Sequence, residues 1–396
     1  MGRKPTVVLG VFIGALVVAL GVALLASGKT ISGPHRGTAT KSGNAAAPTT
    51  TTTTLPKPPP APPSDTRRLS TVKNVGGPIS PKSVVASGHG IVVAQNMMYR
   101  HSVSVFGADG APITTIDDSI TLANFGVEGH PGVSRGAPVE AAFSPDGKYV
   151  YVTNYAMYGA GFGPEGKDDC TPRSGVSNSF LYRINLANYA VDAVAAVGAV
   201  PKYVAVTPDG ATVLVTNWCS WDLSVVDAAT MKETRRVKLE AYPRGIAIVP
   251  GSQTAYIAVM GARSIAKVAI GSGALTWLRN VGNGPRHLVM DSTGRWLYAT
   301  LNQEGAVIKI DTQSDTVVRR VRTGQAPRSM AIAPDDLSLY VVNYESHNVT
   351  KLRAADLGLL QTVPTGTHPI GITYEPMQHR VWVAIYTGNI LVLADS

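Results

Sequence analysis

Cysteine is scarce in this chain, with two residues in 396. Neither lies near the N-terminal apolar segment, which excludes a lipoprotein anchor. Neither has a histidine fixed beside it in sequence, which argues against a thiol nucleophile. Charged residues are also few, at 15% of the chain, although the balance is basic at +9. That balance favours anionic partners only weakly. No Gly-rich phosphate motif occurs. No Ser-His-Asp or paired-carboxylate arrangement can be located by spacing. The sequence therefore offers no recognisable catalytic motif.

What it does offer is repetition. Ala199-Val200-Pro201-Lys202-Tyr203-Val204-Ala205-Val206-Thr207-Pro208-Asp209-Gly210 reads as a short strand closed by a tight turn. A second strand follows and ends at Asn217. The marker proline recurs at Pro81, Pro138, Pro201, Pro243, Pro285, Pro327 and Pro369, the last five spaced by 42 residues. A fixed period near 40 with several short strands per unit is the mark of β-propeller blades. In the third unit the spacing predicts strands at Tyr203–Thr207, Thr212–Thr216, Leu223–Asp227 and Glu233–Leu239. These are runs of Val, Tyr and Thr punctuated by Pro, Gly, Asp and Asn.

The phrase ending the second strand carries a resemblance. Tyr151-Val152-Thr153-Asn154 returns as Leu214-Val215-Thr216-Asn217 and Tyr340-Val341-Val342-Asn343. Tyr298-Ala299-Thr300-Leu301-Asn302 carries its Asn one place late. Residues 67–396 resemble the YVTN-repeat (YncE-like) β-propellers of bacterial envelopes. The resemblance implies an all-β, seven-bladed propeller of four-stranded blades. Related propellers include enzymes, cofactor carriers and binding proteins, so it says little about function.

The last unit has strands at Ile370–Tyr374, Arg380–Ile385 and Ile390–Leu393 but no fourth. An orphan segment, Leu69–Val75, precedes the first unit. It matches Arg320-Val321-Arg322-Thr323-Gly324, just before Pro327, and is expected to complete the last blade. Ring closure of this kind removes two exposed sheet edges.

Four regions are expected: a short cytoplasmic N-terminus (1–6), a single transmembrane anchor or uncleaved signal (7–27), a disordered Thr/Pro-rich linker (28–66) and the propeller (67–396). Val7–Ala26 is an apolar run of membrane-spanning length behind Arg3 and Lys4. Cleavage near Ala26-Ser27-Gly28, giving a secreted protein, is the alternative. The linker, with Thr49–Thr54 and the prolines from Pro56 to Pro63, cannot bury a core and should be extended.

Strand alternation puts the A–B and C–D turns on one face of a propeller and the B–C and D–A loops on the other. Both long insertions, residues 117–136 and 155–178, fall in the second set. Insertions in a repeat array map to loops on one face, often the binding face. Cys170 and Cys219 also lie there, in B–C loops of adjacent blades. This predicts a disulfide and an extracytoplasmic location; two unrelated buried thiols are the alternative.

The residue after each marker proline is Lys82, Val139, Lys202, Arg244, Arg286, Arg328 and Ile370. Five of the seven are basic, and repeat symmetry places them around the mouth of the central channel. The functional expectation is an anion-binding mouth for phosphate, carboxylate, nucleic acid or acidic glycan. The plain alternative is that each cation bonds backbone carbonyls or an Asn of the next blade. Tyr155, Tyr158, Phe162, Trp218, Trp221 and Tyr344 fall on the same loops, either to stack on a ligand or to pack between blades. The asparagines ending the second strands read as structural.

Glu165, Asp168 and Asp169 form an acidic knot that could hold calcium through oxygen ligands, although its spacing matches no calcium-loop motif. Copper sites in some related propellers use several histidines. Of His130, His287, His347 and His368, only His287 falls at the start of an inner strand, so neither a metal nor another cofactor is expected.

The reading that follows is a monomeric, single-pass, extracytoplasmic binding or scaffold propeller. Its candidate contacts are Lys82, Lys202, Arg244, Arg286, His287, Arg328, Trp218, Trp221, Tyr155 and Tyr344. An envelope protein, an acidic glycan or nucleic acid are the candidate partners, besides the membrane itself. Two other readings stay open. One is a lactone hydrolase of the sugar-lactonase-like type, with His287 and the arginines holding an anionic lactone. The other is a cofactor-bearing redox propeller.

Overall fold

The computed structural model of the chain describes residues 61–396. The expected anchor (7–27) and nearly all of the linker (28–66) lie outside the described residues. Among the described residues no helix is long and apolar enough to cross a membrane.

Seven antiparallel sheets follow one another along the chain. The third blade is representative, with strands A (Pro201–Val206), B (Thr212–Asn217), C (Asp222–Asp227) and D (Lys232–Lys238). Strand A is innermost. The A–B turn is closed by Gly210 N–H donating to the Thr207 carbonyl at 2.8 Å, with Gly210 at φ 73°. That backbone is comfortable only without a Cβ, which explains the Pro-Asp-Gly signature.

The ring closes as expected. Leu69–Val75 pairs antiparallel with Asn389–Asp395, so the last blade takes its outer strand from the N-terminal side of the domain. One blade departs from four strands. Ser119–Ile120, inside the first insertion, adds a fifth strand to blade 2 against Ser134–Phe143. Strands A and B of that blade run on to ten residues each. Arg135 faces Tyr158 and Gly136 faces Met157, so the roots of the two insertions zip together.

Neighbouring blades are bound by a repeated stitch. Tyr256, Tyr298 and Tyr340 open the YVTN-like phrases and are essentially fully buried. Their hydroxyls reach the next blade, donating to Asp315 at 3.0 Å, the Ala354 carbonyl at 3.0 Å and Asp395 at 2.7 Å. Lys267, Lys309 and Lys351, on the paired strands, reach the same three places. The aromatic bodies fill the seam, and the polar tips find partners instead of being stranded. Between them, strand positions of Val, Ile and Leu are sealed, each worth about 1.5–3 kcal/mol of burial.

The asparagines are structural. Asn96, Asn217 and Asn343 each donate across to strand C of their own blade, to Ser104 at 2.9 Å, Asp222 at 2.8 Å and Asn348 at 2.8 Å. Asn302, one place late in its repeat, bonds the Pro327 carbonyl of the next blade instead.

Candidate functional site

Each inner strand begins with an irregularity that decides where its side chains go. In blades 2 to 7 the A–B register slips by one residue immediately after the marker proline, a β-bulge. An unbulged strand would send two successive side chains to opposite faces. A bulge sets two residues against one and re-aims them. In blades 3, 5 and 6 the residue after the proline lines the channel mouth and the one after that lines the channel below.

The mouth is a cavity of about 430 Å³ lined by Lys82, Lys202, Arg244, Arg286 and Arg328 together. All five basic residues of the repeat thus meet in one place. The two non-basic positions, Val139 and Ile370, are buried in packing. Burial and mutual repulsion strain the charges. Burial, then the other four cations, hold Lys82 well below its ordinary pKa. Burial and then Arg244 bring Lys202 down to about 7, against the pull of Asp168. Arg244 falls to about 10 by burial and then Arg328. Burial depresses Arg286 and Arg328 as well. None of the three arginine side chains donates to a backbone carbonyl among the described residues. The Nε atoms of Arg286 and Arg328 are buried without a partner. The structural alternative for this ring, cations consumed by carbonyls or asparagines, is not what the arginines do.

Aromatic rings back the cations. Lys202 Nζ sits 4.4 Å from the centre of the Tyr155 ring and 5.0 Å from that of Trp218. Arg328 lies 3.6 Å over Tyr344, and Lys82 Nζ lies 5.2 Å from Tyr386. Such stacking holds a cation in place without neutralising it. Trp221 behaves otherwise. Its ring stands edge-on to Tyr242 at 6.0 Å and is not among the residues lining the mouth. Phe162 stacks on His130 at 3.9 Å, joining the two insertions, and Tyr158 stands edge-on to His101.

The second insertion reaches over the mouth. Cys170 and Cys219 form the expected disulfide, with Cα atoms 5.2 Å apart. Around it Tyr155, Val200 and Trp218 make an apolar cluster that seats the insertion on blade 3. The Tyr155 hydroxyl donates to the Gly166 carbonyl at 2.7 Å, and the Trp218 indole donates to the Asp168 carbonyl at 3.0 Å. Asp168 thereby projects its carboxylate into the cavity, 3.4 Å from Lys202. Of the acidic knot, Asp168 turns to Lys202. Among the described residues no group of three His, Cys, Asp or Glu is placed to hold a metal ion.

His287 sits deeper than the crown. It lies below the mouth, in a cavity of about 230 Å³ with Ser83, Glu140, Tyr203 and Ser329. Its Nδ1 accepts the Met330 N–H at 3.3 Å and its Nε2 meets the Tyr203 hydroxyl at 3.0 Å. Burial, Arg244 and Arg286 push its pKa down to about 3, so the ring is neutral. Burial raises Glu140 to about 7, opposed by Ser83 and by Arg244. His347 and His368 stay at the rim, 5.0 Å apart, with His368 stacked on Tyr344. This lower ring escaped the sequence reading, although its signal, the residue two places after each marker proline, was available. Tyr242, Asn302 and Gln303 in the mouth lining were missed too.

Fold and site together define a seven-bladed propeller with a cationic axial mouth under a disulfide-pinned insertion. A family model described as YNCE-like beta-propeller matches residues 177–357 of the chain. No curated protein matches it. Among solved structures it is similar to the hydrazine synthase of Kuenenia stuttgartiensis. The TM-score is 0.63 at 19% identity, over 81% of this chain and 97% of that one. At that identity the likeness is one of fold.

Proposed function

We propose that this propeller is a binding module whose mouth captures an anionic small molecule or the acidic part of a partner. The supporting observation is the set of five cations around one cavity, with the buried Nε atoms of Arg286 and Arg328 left unpartnered. A buried unmatched donor is costly, and a cluster of like charges more so. An anion on the crown relieves both. The disulfide fits an oxidising compartment, so we place the domain on the outer side of a cell membrane, held there by the segment at 7–27.

The test is a titration of the full chain with inorganic phosphate in low salt, followed by calorimetry and thermal shift. Phosphate should raise Tm, and 1 M salt should weaken the effect. Arg244→Ala with Arg286→Ala should abolish it while leaving the circular dichroism unchanged. No response of the wild type to phosphate, sulfate or citrate in low salt would sink this reading.

A hydrolytic function has one observation in its favour. Glu140, near pKa 7 in the chamber below the crown, has the proton affinity of a general base. His287, neutral and held at both nitrogens, does not. Turnover of a lactone panel abolished by Glu140→Gln would replace the binding reading with an enzymatic one.

A further inference from the structure

The chamber under the crown has a hydrogen-bonding inventory of its own. The Met330 N–H donates to His287 Nδ1, so the ring proton sits on Nε2 and is donated to the Tyr203 oxygen. Tyr203 accepts there, and its own proton is left to point elsewhere. Ser329 spends its proton on the Ile370 carbonyl at 2.9 Å, and Ser83 spends its own on Gln95. Each serine oxygen keeps an open acceptor side, and the Glu140 carboxyl adds more. Thr373, also in the lining, accepts the Ala86 N–H at 3.1 Å and keeps its hydroxyl proton free. The chamber therefore holds two uncommitted hydroxyl donors among several acceptors, which is the complement of hydroxyl groups. An aliphatic tail would strand these groups, and a second anion would face Glu140.

Crown and chamber are continuous along the chain. Lys82 precedes Ser83, Lys202 precedes Tyr203, Arg286 precedes His287 and Arg328 precedes Ser329. In each pair the first residue lines the mouth and the second lines the chamber. Arg244 and Lys82 also act to lower the pKa of Glu140, against burial.

Resting on the anion-binding reading of the mouth, we propose that the axial site takes a small polyol anion. Its charged head sits on the five cations, and its hydroxyls drop between Ser83, Glu140, Tyr203 and Ser329. A polyol phosphate and a polyol carboxylate share this chemistry.

Three probes separate the levels: inorganic phosphate, propyl phosphate and glycerol 3-phosphate, titrated calorimetrically into the full chain. Glycerol 3-phosphate should bind about tenfold or more tighter than propyl phosphate, because only it satisfies the buried polar groups. Tyr203→Phe combined with Ser329→Ala should erase most of that gap and leave the phosphate Kd unchanged. Equal affinity for the two esters would overturn the proposal while the crown stood. A gap that survives the double variant would also overturn it, by placing the hydroxyls elsewhere. If no probe binds in low salt, the crown reading and this one fall together.

Discussion

Asp168 places its carboxylate 3.4 Å from the Lys202 ammonium, across the boundary between blades 2 and 3. The side chain of Asp168 is 89% exposed, whereas that of Lys202 is 7% exposed. The protein thus lays one of its own anions over its own buried cation. An incoming anion competes with it. Because Asp168 is solvated, the contact is worth little, on the order of 0.2–1 kcal/mol. Asp168→Asn should tighten anion binding by about two- to fivefold, measured by calorimetry in low salt. Weaker binding by this variant would mean that the carboxylate orders the site and does not compete for it.

Anion binding should weaken as pH rises. Lys202 titrates near 7 in the free protein, and a bound anion raises that value by favouring the charged form. Binding then takes up a proton above pH 7. Glu140 also ionises near 7 and adds repulsion above that point. Both effects have the same sign: affinity is full below about pH 6.5 and falls by up to about tenfold per proton per pH unit above 7. Calorimetry in two buffers of different ionisation enthalpy measures the proton uptake directly. A flat profile from about pH 6 to 9 would remove the linkage.

The disulfide closes a separation of 49 residues and pins the insertion that carries Asp168. Cys170→Ser with Cys219→Ser should cost about 2–4 kcal/mol of stability. It should also free the insertion from blade 3, seen as faster hydrogen exchange across residues 159–178. Exchange unchanged there would show that the apolar cluster of Tyr155, Val200 and Trp218 suffices.

Closure of the ring depends on a buried ionic knot. Lys351 donates to Asp395 at 2.6 Å and to the Arg67 carbonyl at 2.8 Å, and the Arg67 guanidinium lies 3.3 Å from Asp395. Asp395→Asn leaves the buried Lys351 without its counter-charge and Arg67 with only Asp335, 3.9 Å away, and should cost about 3–5 kcal/mol. Denaturant unfolding should show the loss. Loss of less than about 1 kcal/mol would mean that the closing strand is held by its ladder alone.

Much of this architecture was legible because a repeat copies its signals. The marker prolines, the Asn-terminated strands and the orphan Leu69–Val75 each have counterparts elsewhere in the chain, and each fell where expected. The crown was legible for the same reason. The lower ring was not, because a regular strand alternates faces and Tyr203 or His287 should then have turned away from its predecessor. In blades 2 to 7 the bulge after the marker proline overrides that rule, and its only trace in the sequence is the position two places after the proline. Trp221 and Trp218 are indistinguishable by position in the loop, and only packing against Tyr242 and Asp168 separates their roles. Ser119–Ile120 is too short to register as a strand before its partner is known.

The place where the chain enters the disc has a practical meaning. Ser64 is tied to Asp335, in an A–B turn, and so lies on the side away from the crown. A bead, a dye or a sensor chip coupled at the exposed residue 61 itself would therefore sit on the side away from the axial opening. Immobilisation through that end is the orientation in which a flowing analyte meets the cations first.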